Sequence, residues 1–276
     1  MSVANFIPEI WSTGILKERD KVLIAAKHCN TDYEGEIRQK GDRVKILTIG
    51  DVASYDYTRN ADISAPDQLS DESQWLDVDQ AKYCHVSIDD IDKAQANQNV
   101  MSEGQRKLGI KMADDVDSYI FGLHSNAGVT VDGTGGVTSA NILSFLATLD
   151  QKMREANVPE GEIRYLEVSP AIYAKLILAR VFKETANTKV IDGAEVPVIF
   201  NFAVFSSNNI KVVSGAHKCL VRTKGAITFA SQLTETTAYR PERRFGDAIK
   251  SLQVFGAKVI RPKELILFNA TPGAES

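Results

Sequence analysis

The 276-residue sequence contains no apolar run of the roughly 18 residues that a membrane-spanning helix requires. Its opening, Met1-Ser-Val-Ala-Asn-Phe-Ile-Pro8, has neither the basic start nor the apolar block of a secretory signal, so folding in the cytoplasm is expected. It also lacks the excess of Lys and Arg that marks most DNA-binding chains. There are 32 basic and 36 acidic residues, for a formal net charge of −4, which argues against DNA binding as its main task. Cysteine is scarce. Cys29, Cys84 and Cys219 are odd in number and far apart, and read as free thiols in a reducing compartment. Internal repeats and low-complexity segments are absent as well. What remains is an ordinary globular composition, 43% hydrophobic and 25% charged, enough for one or two compact units.

Catalytic signatures are equally sparse. No Gly-x-Ser-x-Gly elbow occurs. Gly133-Thr-Gly-Gly136 lacks the Lys-Ser/Thr of a phosphate loop and the spacing of a dinucleotide fingerprint, so it reads as a flexible turn. His28-Cys29 and Cys84-His85 are adjacent pairs, whereas metal-ligand pairs are spaced roughly two to four residues apart. Neighbours on a strand also point to opposite faces. These four read as core or surface residues, and no metal or cofactor is expected. Ser214 and His217 have no evident third partner. Asp89, Asp90 and Asp92 read as helix-capping acids, and Asp114, Asp115 and Asp117 as the solvated face of a helix.

The elements that are present suggest an elongated α+β protein. Residues 1–32 form a mixed lead-in. Arg43 to Ile49 alternates as a strand, and a second strand is expected over about Lys82 to Ile88. The stretch between them carries Asp51, Asp56, Asp62, Asp67, Asp71, Glu72, Asp77 and Asp79 against Arg59 alone. Weak periodicity and the breakers Gly50, Asn60 and Pro66 make it an extended, hairpin-like acidic arm. Ile91, Ala94, Gln98, Met101, Gln105, Leu108, Met112, Val116, Tyr119 and Leu123 then recur at helical spacing. Capped by Asp89 or Asp90 and ending near His124, that helix would span about 34 residues, or roughly 50 Å, with bends possible at Gly104 and Gly109.

A Gly-rich loop is expected over Asn126 to Gly136. A helix over Ser139 to Ala156 follows, presenting Ile142, Leu143, Leu146, Leu149 and Met153. Ile163 to Val168 is a strand, and Ser169-Pro170 starts another helix that runs to about Phe182. Short strands are expected at Val190–Ile191, Val196–Ile199, Ile210–Val213, Cys219–Arg222 and Ile227–Ala230. A long strand over about Ala248 to Ile260 closes the chain and ends at Pro262. The strongest basic cluster holds Arg240, Arg243 and Arg244. With Lys250, Lys258, Arg261 and Lys263 it forms a strip that Glu242 and Asp247 only partly offset. The acidic arm and this strip suit each other as two sides of a subunit interface. The candidate interface residues are therefore Asp51, Asp56, Asp62, Asp67, Asp71, Glu72, Asp77, Arg240, Arg243, Arg244 and Lys250.

An ordered set of segments resembles the coat proteins of tailed bacteriophages. Asn5-Phe-Ile-Pro-Glu-Ile-Trp11 is similar to their opening. Asp32-Tyr-Glu-Gly-Glu-Ile37 and Gly41-Asp-Arg-Val-Lys-Ile46 are similar to the lead into their extended loop. Leu76-Asp-Val-Asp-Gln-Ala-Lys-Tyr83 and Ile88-Asp-Asp-Ile-Asp-Lys-Ala-Gln95 resemble the approach to their spine helix. Tyr239-Arg-Pro-Glu242 and Phe255-Gly-Ala-Lys-Val-Ile-Arg-Pro262 resemble their closing strand. The resemblance implies the Hong Kong-type phage capsid fold. Its parts would be an N-terminal arm at 1–42, an extended β-hairpin loop at 43–88, a peripheral domain with spine helix and long strands at 89–129 and 233–276, and a compact axial domain at 130–232.

The resemblance further implies a major capsid protein, not an enzyme. Its hexamers and pentamers would build an icosahedral head around double-stranded DNA, without sequence-specific binding, in the host bacterial cytoplasm. A portal and a separate scaffolding protein are implied partners, because the coat-like motif begins at Asn5 and leaves no room for a helical prodomain before it. Some relatives join a loop lysine to an asparagine of a neighbour. No lysine lies between Lys45 and Lys82, so such stapling from the loop is not expected. Two alternatives compete: an encapsulin-like nanocompartment shell of the same fold, and a cytosolic α+β enzyme.

Overall fold

A computed structural model describes residues 23–32, 43–49, 54–57, 59, 62, 71–89, 100–179, 188–191, 194–243 and 245–275. The strands are β1 (Arg43–Ile49), β2 (Asp71–Asp77), β3 (Gln80–Asp89), β4 (Val129–Val137), β5 (Arg164–Val168), β6 (Thr188–Ile191) and β7 (Ala194–Ile199). They continue with β8 (Phe202–Ser206), β9 (Val212–Val213), β10 (Ala216–Thr223), β11 (Ile227–Tyr239), β12 (Gly246–Val259) and β13 (Leu265–Pro272). The helices are α1 (Val100–Gly122), α2 (Ile142–Glu155) and α3 (Pro170–Leu178).

The strands form three sheets. β1 and β2 make an antiparallel hairpin. An eight-stranded sheet runs β4-β13-β10-β5-β8-β7-β6, with β9 beside β10. A three-stranded sheet runs β11-β12-β3. After its first passage through α1, from β3 to β4, the chain crosses directly between the two larger sheets twice, from β10 to β11 and from β12 to β13. Ile260 N donating to Ala226 O at 2.9 Å ties the two crossings together.

Each face of the large sheet carries its own core. β5 and β10 are almost wholly buried, as strands covered on both faces should be. On one side α2 presents Ile142, Leu146, Leu149 and Met153, one stripe at helical spacing, to Leu166, Val204, Val221 and Phe268. Leu143, expected on that stripe, is 40% exposed. α2 ends where Asn157 takes φ 58. Val158 N donates to Met153 O at 3.3 Å and Asn157 N to Arg154 O at 2.9 Å, which satisfies the last carbonyls. α3 starts as expected, with Ser169 Oγ accepting from Ile172 N at 3.4 Å and Pro170 in the first turn. On the other side α1 brings Ala113, Val116, Ile120 and Phe121 against Leu220, Phe229, Phe255 and Leu265.

Several expectations need correcting. The acidic arm is closed by β2, not by a strand over Lys82–Ile88. That later segment is β3, which pairs with β12 from Gly246↔Asp89 to Phe255↔Gln80. The Gly-rich loop over Asn126–Gly136 is largely strand β4, parallel to β13. Gly133 is closely packed there: a Cβ would lie 3.0 Å from a Val137 methyl and 3.1 Å from the Phe268 ring, so those side chains would have to give way. β8 was not anticipated. Pro262 does not end the ordered chain: a short 3₁₀ turn over Pro262–Glu264 leads into β13, which lies between β4 and β10. α1 is continuous through Gly104 and Gly109, and the proposed start of its stripe at residues 91–99 lies outside the described residues. Asp117 is not on a solvated face; it is 1% exposed.

Candidate assembly surface

The hairpin is seated on its own subunit by alternation along its strands. Val44, Ile46 and Leu76 face inward and, with Val78, are buried against Ala230 of β11 and Val254 of β12. Arg43, Lys45, Trp75 and Asp77 face out, and Arg43 Nε meets Asp77 Oδ1 at 2.7 Å. The seat demands a glycine below it. A Cβ at Gly256 would collide with the Asp77 carbonyl oxygen and lie 2.9 Å from Val78 Cα. Lys258 Nζ then donates to the Trp75 carbonyl at 2.8 Å. Passing from Asp77 to Trp75, the hairpin moves from Gly256 to Lys258, so it leaves the sheet off the C-terminal end of β12.

The opposite end of the same sheet face is open. Register places His85 and Thr237 beside Lys250, Tyr83 beside Leu252, and Tyr239 beside Ala248. Alternation puts Lys250 and Leu252 on the face of Val254 and Gly256. Cys84, Val86 and Ile249 point the other way, toward Leu108 and Met112 of α1. On the open half Tyr83 is 78% exposed. The Tyr239 hydroxyl and His85 Nε2 lie 2.9 Å apart with their rings stacked. Lys250 Nζ sits 5.6 Å from the Tyr239 ring centroid. A cavity of about 290 Å³ opens here, lined by Tyr83, Thr237, Lys250, Ser251 and Leu252.

Beneath this surface a buried polar cluster holds residues 24–30 to the junction of the two larger sheets. Asp117, on α1, accepts from the backbone N–H groups of Ile24, Ala25 and Ala26 at 3.0, 3.1 and 3.4 Å. Arg222, on β10, donates to the carbonyls of Ala25 and His28 at 2.7 and 2.9 Å, and to both carboxylate oxygens of Glu167 on β5. His28 Nδ1 donates to Glu167 Oε1 at 2.8 Å, and its ring stacks on Tyr165 with centroids 4.2 Å apart. Asn30 extends the hold, bridging to Thr228 at the start of β11.

Burial dominates the electrostatics of this cluster. It pushes the Asp117 carboxyl up to about 6, against the pull of the three N–H donors. Burial pushes Glu167 up as well, but Arg222 and His28 outweigh it and hold that carboxyl at about 2. Glu167 therefore stays ionised as the counter-ion of Arg222. Sequence reasoning missed this cluster. The signal was charge set among apolar residues in two short strands, Arg164 and Glu167 in Arg164-Tyr-Leu-Glu-Val168 and Arg222 in Cys219-Leu-Val-Arg222, which strands buried on both faces tolerate only when the charges are paired.

The comparisons with known proteins agree with this architecture. A family model described as "Phage capsid protein" matches residues 71–267, well over half of the chain. This chain belongs to the phage capsid protein family. No curated protein sequence matches it. Among solved structures, one from Mycobacterium phage Che8 is similar with a TM-score of 0.71 at 21% identity, covering 90% of this chain and 91% of that one. The capsid of Cyanophage P-SCSP1u is similar at 0.67 and 16% identity, over 90% and 86%. The SrpI encapsulin of Synechococcus elongatus is similar at 0.56 and 14%, over 86% and 84%. The expected phage capsid fold is thus the fold observed, and the chain is a shell-building structural protein of the virion.

The candidate interface residues of this capsid protein fall in three groups. Asp51, Asp67 and Arg244 lie outside the described residues. Asp56 and Asp62 are exposed in the stretch between β1 and β2, while Asp71 and Glu72 lie on β2 opposite Ile49 and Thr48. Asp77 is engaged by Arg43 of its own hairpin rather than by the basic strip. Arg240 and Arg243 are exposed just beyond β11, and Lys250 lies at the open half of β12. Of the strip, Lys258 is used within the subunit, under Trp75.

Of the residues weighed for chemistry, His28, Cys29 and His85 have structural partners. His28 and Cys29 belong to the buried cluster, where Cys29 Sγ donates to Ala25 O at 3.3 Å. Burial pushes the Cys29 thiol up and the Cys219 thiol up to about 12, which leaves both weak nucleophiles. Ser214 occupies a positive-φ turn between β9 and β10. Among the described residues, no three His, Cys, Asp or Glu side chains converge as a metal site. Nor, among them, is any helix long and apolar enough to cross a membrane.

Proposed function

We propose that this capsid protein assembles as hexamers and pentamers into an icosahedral head enclosing double-stranded DNA, and that the acidic arm of each subunit docks on the basic strip of the next. The observation that carries the proposal is the direction of the hairpin. It leaves its sheet off the C-terminal end of β12, while Arg240, Arg243 and Lys250 lie at the other end of the same sheet. Arm and strip are then two different patches on one subunit, and such head-to-tail contacts generate rings when the rotation closes. Complementary charge steers the encounter and sets its register more than it adds affinity. The net charge of −4 suits packaged DNA that must move freely, since a strongly basic wall would hold it. Assembly takes place in the host bacterial cytoplasm, with a scaffolding protein and a portal as partners, as the resemblance to tailed-phage coat proteins implies.

Salt and charge reversal test the docking. The screening length falls from about 10 Å at 0.1 M to about 3 Å at 1 M salt, so sedimentation should show assembly slowing and shells loosening across that range. Arg243→Glu with Arg244→Glu should leave a folded monomer, by circular dichroism, that does not assemble. Normal shells from that double variant at low salt would show that the arm meets something else. The similarity to an encapsulin supports a second reading, a nanocompartment around a cargo enzyme. Purified particles that contain protein cargo and no DNA would favour it.

A further inference from the structure

We infer that residues 24–30 form a proton-gated latch, gripped by the junction of the two larger sheets in mild acid and loosened toward neutral pH. The inference concerns the single subunit and stands apart from the shell reading. The grip is made to the backbone of the segment. Asp117 accepts from the N–H groups of Ile24, Ala25 and Ala26, and Arg222 donates to the carbonyls of Ala25 and His28. At the far end Asn30 N donates to Ile227 O and Asn30 O accepts from Phe229 N, both at 2.9 Å. Ala25 and Cys29 are 0% exposed. The segment therefore touches every charge of the cluster, Asp117 and Arg222 through its backbone and Glu167 through His28. Lifting it admits water to all three.

The charges beneath the segment do not balance. Arg222 bonds both oxygens of Glu167, while Asp117 is met by amide N–H groups. With His28 neutral, two buried carboxylates face one buried guanidinium. The neighbouring charges of α1 are engaged elsewhere: Asp114 accepts from Asn209 at 3.1 Å, and Asp115 pairs with Lys111. Lys27 points to solvent, and burial keeps the Cys29 thiol neutral. A surplus buried charge is strongly disfavoured, and one proton removes it. Asp117 takes that proton, because burial holds its carboxyl at about 6 while the segment is docked. Solvated beneath a lifted segment, it returns toward its ordinary 3.8. Docking therefore takes up a proton, and the grip strengthens as pH falls from about 6 to about 4. Stronger acid reverses the trend, since Glu167 then protonates and Arg222 loses its counter-ion.

Two native cysteines read the latch in the full chain. Cys29 lies in the segment, and Cys219, also 0% exposed, lies in the core of the large sheet and reports global unfolding. Alkylation by N-ethylmaleimide is followed at each cysteine by peptide mass spectrometry. Dividing by the rate for the denaturant-unfolded chain at the same pH removes the chemistry of the thiol itself. Protection of Cys29 should drop about tenfold from pH 5 to pH 7, the ratio set by a carboxyl at about 6 docked and 3.8 lifted. At pH 7 Cys29 should react faster than Cys219. Asp117→Asn should hold the change within about twofold, and Asp115→Asn should leave it intact. Flat protection of Cys29, or a slope that persists in Asp117→Asn, overturns the latch. Equal protection of Cys29 and Cys219 overturns it too, because the segment then opens only when the whole subunit unfolds. If Asp117→Asn does not fold, hydrogen exchange of the wild-type chain decides. The Ala25 and Ala26 amides, corrected for their intrinsic pH dependence, should open about tenfold more at pH 7 than at pH 5. Equal opening at the two pH values overturns the proposal.

Discussion

The residues that matter most to the folded subunit are the ones least visible in its sequence. Glu167 and Arg222 are each 0% exposed and bond each other through both carboxylate oxygens. Losing one partner strands a buried charge, so Glu167→Gln should cost about 3–5 kcal/mol in denaturant unfolding, with residues 24–30 becoming more protease-sensitive. A change within the error of the measurement would show that the cluster does not hold that segment. Asp117 has the opposite pH behaviour to Glu167. Its folded-state pKa of about 6 lies above its ordinary 3.8. The folded protein therefore binds that proton more tightly than the unfolded chain, and stability from this group falls as pH rises from about 4 to 6. Glu167, held at about 2 against its ordinary 4.5, contributes stability that is fully present above about 4.5 and is lost as pH falls from there to about 2. Asp117→Asn should flatten the slope of unfolding free energy between pH 4 and 6. An unchanged slope in the variant would assign it elsewhere. The sequence showed Asp117 only as one of three acids on a helix. Nothing local distinguishes it from Asp115, which pairs with Lys111 at 3.0 Å on the surface; only the arrival of residues 24–26, more than ninety positions away, does so.

Elements were legible where one strong period carried them. The stripe of α2, the Ser169-Pro170 start of α3 and the long β12 emerged because burial on one face leaves a repeating pattern. β2 failed for the converse reason. Asp71-Glu-Ser-Gln-Trp-Leu-Asp77 has no alternation of its own and is a strand because β1 pairs with it over its whole length. β4 was hidden by its glycines, of which Gly133 packs closely against Phe268 instead of making a turn. The hairpin seat adds a similar dependence at Gly256. Its glycine looked unremarkable in the sequence, yet two backbone atoms of the hairpin lie where a side chain would start. Gly256→Ala should lift the hairpin from the sheet and destabilise the subunit by about 1–3 kcal/mol, with Trp75 fluorescence shifting to the red. Unperturbed fluorescence and stability would mean that the hairpin is not seated there.

At the scale of the whole molecule, the described residues form two sheets joined by a double crossing, a helix along their shared face, and a hairpin that extends past the edge. The separation of an acidic segment around the hairpin from a basic segment around the closing strand was legible because charge segregates along the chain. Acids gather in 51–79 and bases in 240–263. The topology was not legible: β13 returns to the large sheet after Pro262, and the hairpin, bonded to Lys258, turns away from Arg240, Arg243 and Lys250. That geometry makes a lone subunit an incomplete object, with a projecting arm at one end of a sheet and an open face at the other. The most direct test is negative-stain electron microscopy of the purified chain, concentrated at low salt without other phage proteins. Capsomer rings with fivefold and sixfold outlines, curved sheets or irregular shells are expected, becoming uniform closed heads when the scaffolding protein is supplied. Particles that remain single subunits at every concentration, with or without that partner, would contradict it.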